Sequence, residues 1–221
     1  MSPKKEIIKI ITSMSGRYSP YNIFSDWVQM SALSIQNSLC MVHGKVWKDR
    51  EQMYIDTARK YTEEELRQHA KMFVLLGDAL TENLSDVLGE IYMEAGMGSK
   101  YTGQFFTPFH LSEQCARLSI DPERLPETGK ITLHEPSCGG GGMIIAACKV
   151  LRDAGIDFQR RLDVLAQDLD WKGVYMTYVQ LSLIGCRAVV VQGDTLANPY
   201  DPKRTDPACI LRTPAKMGLL I

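Results

Sequence analysis

The sequence predicts an α/β protein with two parts, a helical N-terminal region over residues 1–100 and a parallel sheet with crossover helices over residues 101–221. Three observations predict it. Apolar residues recur at helical spacing between residues 18 and 100 without strand-like alternation. Beyond residue 101, short β-branched runs alternate with helix-length apolar stretches, the pattern of parallel strands joined by right-handed crossovers. Between the first of those strands and its helix stand four consecutive glycines, 139–142.

The elements follow in order. In YNIFSDWVQMSALSIQNSL, Ile23, Trp27, Met30 and Leu33 share one helical face, and Ser25 with Asp26 suit its N-terminal cap. TEEELRQHAKMFVLLGDAL opens on Thr62 with Glu65 three residues on, a capping-box arrangement. LSDVLGEIYMEAGM gives a further helix, stopped by Gly96 and Gly98. A loop, KYTGQFFTP, then leads to a helix at FHLSEQCARLSI. Next come strand KITLHE, the glycines, helix MIIAACKVLRDAG, strand LDVLAQD, helix WKGVYMTYVQLSLIG and strand CRAVVVQGD.

Composition bounds the function. At 221 residues, 45% hydrophobic and 23% charged, the chain is long enough to bury a substantial core. A net charge of -1 gives no global field for nucleic acid or an anionic membrane, so any DNA contact needs a local patch. The candidates are Lys4, Lys5, Lys9, Arg160, Arg161, Lys203 and Arg204, isolated basic positions of the kind that also sit on solvated faces. Trp27, Trp47 and Trp171 read as packing residues rather than base-stacking platforms. Six dispersed cysteines without a C-x-x-C pair predict neither a disulfide framework nor a metal site, and no apolar run suggests a signal sequence or membrane span. The expected compartment is the cytoplasm.

The glycines do not read as a tether, because they lie between a strand and an apolar helix. A Walker-type loop requires Lys and Ser or Thr where this chain has Met143 and Ile144, and the third glycine of a G-x-G-x-x-G fingerprint would be Ile144. What is left is a strand-to-helix turn that lets backbone approach a ligand closely. Glu135, Asp168 and Asp194 end the three strands and would line one edge of the sheet. Three carboxylates suit a nucleoside carrying positive charge and repel a polyphosphate. The alternative for Asp168 and Asp194 is to cap the helix or turn that follows.

GQFFTP (103–108), EPSCGGGGM (135–143), the acid of AQDLD and the acid of QGDTL, in that order, resemble the N6-adenine DNA methyltransferases of type I restriction-modification systems. The resemblance implies a truncated Rossmann-like methyltransferase sheet that binds S-adenosyl-L-methionine. Carried over by position, Phe106 and Thr107 would hold the methionine end, and Glu135, Cys138, Gly139 and Gly141 would shape the turn beneath it. Asp168 would take the ribose hydroxyls and Asp194 the adenine amine. Cys138 reads as a packing residue rather than a nucleophile, having no sequence neighbour to lower its pKa. DNA is the implied partner, with a restriction-modification subunit or a second copy of the chain as a further one.

The chain departs from that family in lacking an (N/D)-P-P-(Y/F) motif, whose acceptors make the target amine nucleophilic and whose aromatic stacks on the flipped base. Its nearest string is ANPY, making Asn198 and Tyr200 the candidates for a catalytic pair; the competing reading is a turn feeding DPKRTDP. The chain also ends soon after the third strand, leaving the first with an exposed edge. The apolar segment 208–221 is therefore expected to pack on the first strand or dock on a second subunit. Two functions follow: an adenine-specific DNA methyltransferase or its cofactor-binding part, and a catalytically incomplete relative that binds the cofactor and acts through DNA or a restriction-modification partner.

Overall fold

The computed structural model describes residues 2–97 and 106–219. Five helices come first: α1 (Pro3–Met14), α2 (Pro20–Ser38), α3 (Lys45–Ala58), α4 (Glu63–Glu82) and α5 (Val87–Glu94). Helix α6 (Phe109–Ser119) leads to strand β1 (Ile131–Glu135), α7 (Gly142–Asp153), the single turn α8 (Phe158–Arg161), β2 (Leu162–Asp168), α9 (Trp171–Leu183), β3 (Arg187–Gln192) and a short β4 (Ile210–Arg212). The α/β organisation expected from the alternation of strands and helices is what the chain adopts.

The four strands stand in the order β1-β2-β3-β4. β1, β2 and β3 run parallel, with Glu135 level with Ala166 and Asp168 level with Gln192, so the strand tips share one edge. Burial explains the strand composition: Val164, Ala166, Ala188 and Val190 are buried in the core shared with the helices, and Val191 is buried in a smaller cluster with Val189 and Ile210.

Local signals set several helix ends. Thr62 Oγ1 accepts the Glu65 N–H while Glu65 returns to the Thr62 N–H at 2.7 Å, closing the capping box expected from the sequence. The cap of α2 differs from the expectation. It is Ser19, which accepts from Asn22 N–H ahead of Pro20, a residue whose fixed φ suits the first helical position. Ser25 and Asp26 lie inside α2, where Asp26 accepts from Lys60 Nζ and from Tyr61 Oη. Gly96 follows α5 at φ +68, whereas Gly98 is outside the described residues. Helix α1, which sequence periodicity left unread, buries Ile7, Ile10 and Ile11.

One hydrophobic cluster runs from Ile7 and Trp27 through Tyr92 to Tyr178 and Leu211, so the helical region and the sheet share a core. Helix α2 packs on α9, and α4 and α5 reach α9 as well. Trp27 is fully buried there; Trp47 stacks on His43 and donates to Asn37 O; Trp171 stacks on Tyr175.

The C-terminal segment corrects a second expectation. β4 pairs antiparallel with β3, Leu211 opposite Val190, on the far side of the sheet from β1. The reason lies in the helical region. Arg50 Nη2 donates to Pro207 O, Ala208 O and Ile210 O at 3.2, 3.3 and 2.9 Å, and Gln36 Oε1 accepts the Arg212 N–H at 2.8 Å. Helices α2 and α3 thus hold the segment where its apolar face reaches β3. No helix among the described residues is long and apolar enough to cross a membrane, and no group of His, Cys, Asp and Glu among them is arranged to hold a metal.

Candidate functional site

The glycine run is a bend wedged between the tip of β2 and the start of α9. Past the end of β1, Cys138 N–H donates to Gln167 O at 3.0 Å, extending the ladder, and Gly141 N–H closes on Cys138 O at 2.8 Å. Gly139 (φ +50) and Gly141 (φ +93) hold left-handed conformations open to glycine at little cost. Thr177 Oγ1 donates to Gly139 O at 2.9 Å, and a Cβ on Gly173 would meet that oxygen at 3.0 Å. Helix α9 therefore approaches the bend as closely as a glycine allows.

Each strand-tip carboxylate organises backbone. Asp168 Oδ2 accepts the Gly139 N–H at 2.7 Å and its Oδ1 the Asp170 N–H at 2.9 Å. Glu135 Oε1 accepts from Ser137 N–H, and Asp194 Oδ1 accepts from Leu196 and Ala197 N–H, capping the next turn. Thr195 Oγ1 donates to Pro136 O at 2.7 Å and stitches the third tip to the turn after the first. All three acids thus lie along one edge, and Asp168 and Asp194 also make the capping contacts of the alternative reading. An ionised carboxylate has about four acceptor sites, so these bonds leave capacity for hydroxyl or amine donors.

Of the segment GQFFTP, Gly103, Gln104 and Phe105 are outside the described residues. Phe106 lies against the bend, its ring 3.2 Å from where a Cβ on Gly139 would stand, and meets Tyr92 edge-on at 5.1 Å. Behind Tyr92, the buried Lys172 Nζ lies over the Tyr21 and Tyr92 rings and donates to Tyr92 Oη at 3.2 Å. A pocket of about 110 Å³ is lined by Phe106 and Thr107 together with Cys138 and Gly139. A larger one of about 460 Å³ is also lined by Phe106 and Thr107, and by Glu90, His110 and Lys149. Cys138 is buried, and that burial pushes its thiol up to about 12, so it stays protonated.

Two residues that the sequence did not single out shape this region. Asp86, the N-cap of α5, is 3% exposed and lines both pockets. Gln180 on α9 donates from Nε2 to Asp86 Oδ1 and to Gly140 O, both at 2.8 Å, while its Oε1 accepts the Leu88 N–H. The only local signal was an Asp ahead of a helix, and the contact to the glycines spans more than fifty positions of chain.

Asn198 and Tyr200 make no hydrogen bond with the bend among the described residues and reach it through Gln167. Gln167 clamps their backbone, donating to Asn198 O and accepting the Tyr200 N–H, both at 3.1 Å. The Tyr200 ring packs on Val189, Val191 and Ile210, and both residues border a cleft of about 670 Å³ beside β3. The basic candidates are partly committed: Lys4 pairs with Glu90 and Glu94, and Arg161 donates to Gly129 O and Pro126 O.

Parallel strands, a left-handed glycine bend after the first, and an acid at or just past the end of each describe an α/β protein with a close-approach site at its carboxyl edge. The profile of the N-6 DNA methylases matches residues 83–214, more than half of the chain, which belongs to that family. Among curated proteins none matches. Among solved structures, a Listeria monocytogenes protein assigned to the class I S-adenosylmethionine-dependent methyltransferases aligns at 13% identity and TM-score 0.46, over 79% of this chain and 56% of that one. A type I restriction-modification methyltransferase subunit from Streptococcus thermophilus aligns at 16% identity and TM-score 0.44, over 87% and 43%. The chain therefore spans about half the length of these structures.

Proposed function

We propose that this chain is the cofactor-binding part of an adenine-specific DNA methyltransferase and that it binds S-adenosyl-L-methionine at the bend after β1. The observation that carries the reading is the Asp168–Gly139 contact within a segment matched by the N-6 DNA methylases. The residues fit the group. Backbone at Gly139 and Gly141 is bare where a Cβ would crowd Phe106 or Thr177, and three carboxylates at the edge favour a cationic nucleoside.

In this reading Phe106 and Thr107 hold the methionine end, and Glu135, Cys138, Gly139 and Gly141 shape the turn. Asp168 accepts from ribose hydroxyls and Asp194 from the adenine amine. When bound, S-adenosylmethionine supplies a sulfonium methyl for direct transfer to nitrogen. The protein's part is to orient the two reactants, and the target amine needs acceptors that hold its protons. Region 1–100 supports the site from behind, through α2 and α5 packed on α9, and 101–221 carries it. DNA and a restriction-modification subunit are the proposed partners.

A second reading, a cofactor-binding relative without methyl transfer of its own, is favoured by one observation: Gln167 fixes the ANPY backbone, and the half-buried Tyr200 ring leans on the cluster of Val189, Val191 and Ile210. One experiment separates the two. Affinity for S-adenosylmethionine is measured by calorimetry on the wild type and Asp168→Ala, followed by incubation with DNA and tritiated cofactor. Binding lost in Asp168→Ala with label in DNA supports the enzyme, and binding without label supports the relative. No binding by the wild type sinks both.

A further inference from the structure

We infer that Asp86 is the anionic partner of the cofactor's α-ammonium group, so that the amino-acid end of S-adenosylmethionine is read by a residue of the helical region as well as by the sheet. The inference rests on the proposed cofactor site and deepens it.

The carboxylate is positioned for a ligand rather than for the fold alone. Its Oδ1 serves the fold, accepting Gly89 N–H at 2.9 Å and Gln180 Nε2 at 2.8 Å. Its Oδ2 takes no hydrogen bond among the described residues and stands over Gly89 in the first turn of α5 while also reaching the glycine bend. A Cβ on either Gly140 or Gly142 would stand 3.1 Å from that oxygen, so glycine at these two positions makes room for it. Four consecutive glycines thereby gain a reason that backbone conformation supplies only for Gly139 and Gly141.

Asp86 borders both pockets that flank Phe106 and Thr107, the residues proposed to hold the methionine end. No cationic side chain among the described residues pairs with it, although buried charges are normally paired. Lys149, in the larger pocket, is held by Glu113 at 2.9 Å. Burial pushes the Asp86 carboxyl above the usual carboxylate range, against the opposing pull of its bonds to Gln180 and Gly89. An ammonium group arriving beside Oδ2 would favour the ionised form and gain a charge-assisted hydrogen bond.

The test is a cycle of two ligands and two proteins, read by calorimetry: S-adenosylhomocysteine and its analogue lacking the amino group, against wild type and Asp86→Asn. The wild type is expected to bind the deaminated ligand at least about tenfold more weakly, the equivalent of one charge-assisted hydrogen bond. Asp86→Asn is expected to weaken only the amine-bearing ligand and to erase the difference. Asp86→Ser, which keeps a cap oxygen for α5, is the second variant and is expected to behave alike. Equal binding of both ligands by the wild type, or an undiminished difference in either variant, overturns the role of Asp86 and leaves the cofactor site standing. If the wild type binds neither these ligands nor S-adenosylmethionine, the cofactor site itself falls, and this inference with it.

Discussion

The carboxylate of Asp168 accepts the Gly139 N–H at 2.7 Å, so the tip of β2 holds the first left-handed residue of the bend that follows β1. The second oxygen of the same side chain accepts the Asp170 N–H, where α9 begins. Removing the side chain strips two backbone donors of a charged acceptor. Asp168→Ala is expected to lower stability by about 1–3 kcal/mol, seen as an earlier urea midpoint at unchanged slope, together with loss of cofactor affinity. An unshifted midpoint would show that the bend holds its shape without the contact.

Glycine is not needed equally everywhere in this chain, and two alanine substitutions should move stability in opposite directions. Gly141 has φ +93, and a Cβ there would lie 3.1 Å from Thr177 Oγ1. Gly141→Ala is expected to destabilise by about 1–3 kcal/mol. Gly77 sits within α4 with open space around it, so Gly77→Ala should stabilise by about 0.5–1 kcal/mol. Thermal melts of the two variants beside the wild type check both signs, and a shared direction would refute the distinction.

The position of β4 depends on Arg50. Its guanidinium is buried and serves three carbonyl oxygens of the C-terminal segment. Arg50→Ala is expected to cost about 2 kcal/mol or more and to raise amide hydrogen exchange at Ile210–Arg212 above that of β2. Should exchange in β4 stay at the wild-type rate, its pairing with β3 would be shown to suffice without the clamp.

His69 predicts an acid-side loss of stability. Burial moves its imidazole from 6.5 down to about 4, despite the opposing charges of Asp26 and Glu65, and neither ring nitrogen has a hydrogen-bond partner among the described residues. As pH falls from about 6.5 to about 4 the unfolded chain takes up this proton and the folded chain does not. Stability therefore drops across that window, by about 3 kcal/mol at most. Asp86, whose carboxyl is raised by burial, acts in the opposite sense, so the informative quantity is the difference between wild type and His69→Phe. Parallel pH profiles for the two proteins would exclude the contribution of His69.

What could be read along the chain were features with local causes. The capping box at Thr62 and Glu65, the alternation of strands and helices, and a bend between β1 and α7 all follow from residue type and spacing over a few positions. The α2 cap was misplaced because Ser25 and Asp26 satisfy the same local preference as Ser19, and Pro20 at the first helical position decides between them. The shared edge of Glu135, Asp168 and Asp194 was legible because the first two end parallel strands and the third follows β3 by two residues.

Tertiary structure alone decided the rest, since those features depend on partners far away in sequence. β4 lies on β3 because Arg50 and Gln36, on helices from the other end of the chain, hold it there. Gly140 and Gly142 are bare because Asp86 presses on them from α5, and Gln180 ties the two together from α9. A residue's own type and neighbours set the backbone it prefers, but which buried charge faces which turn is settled only when separate helices pack into one core.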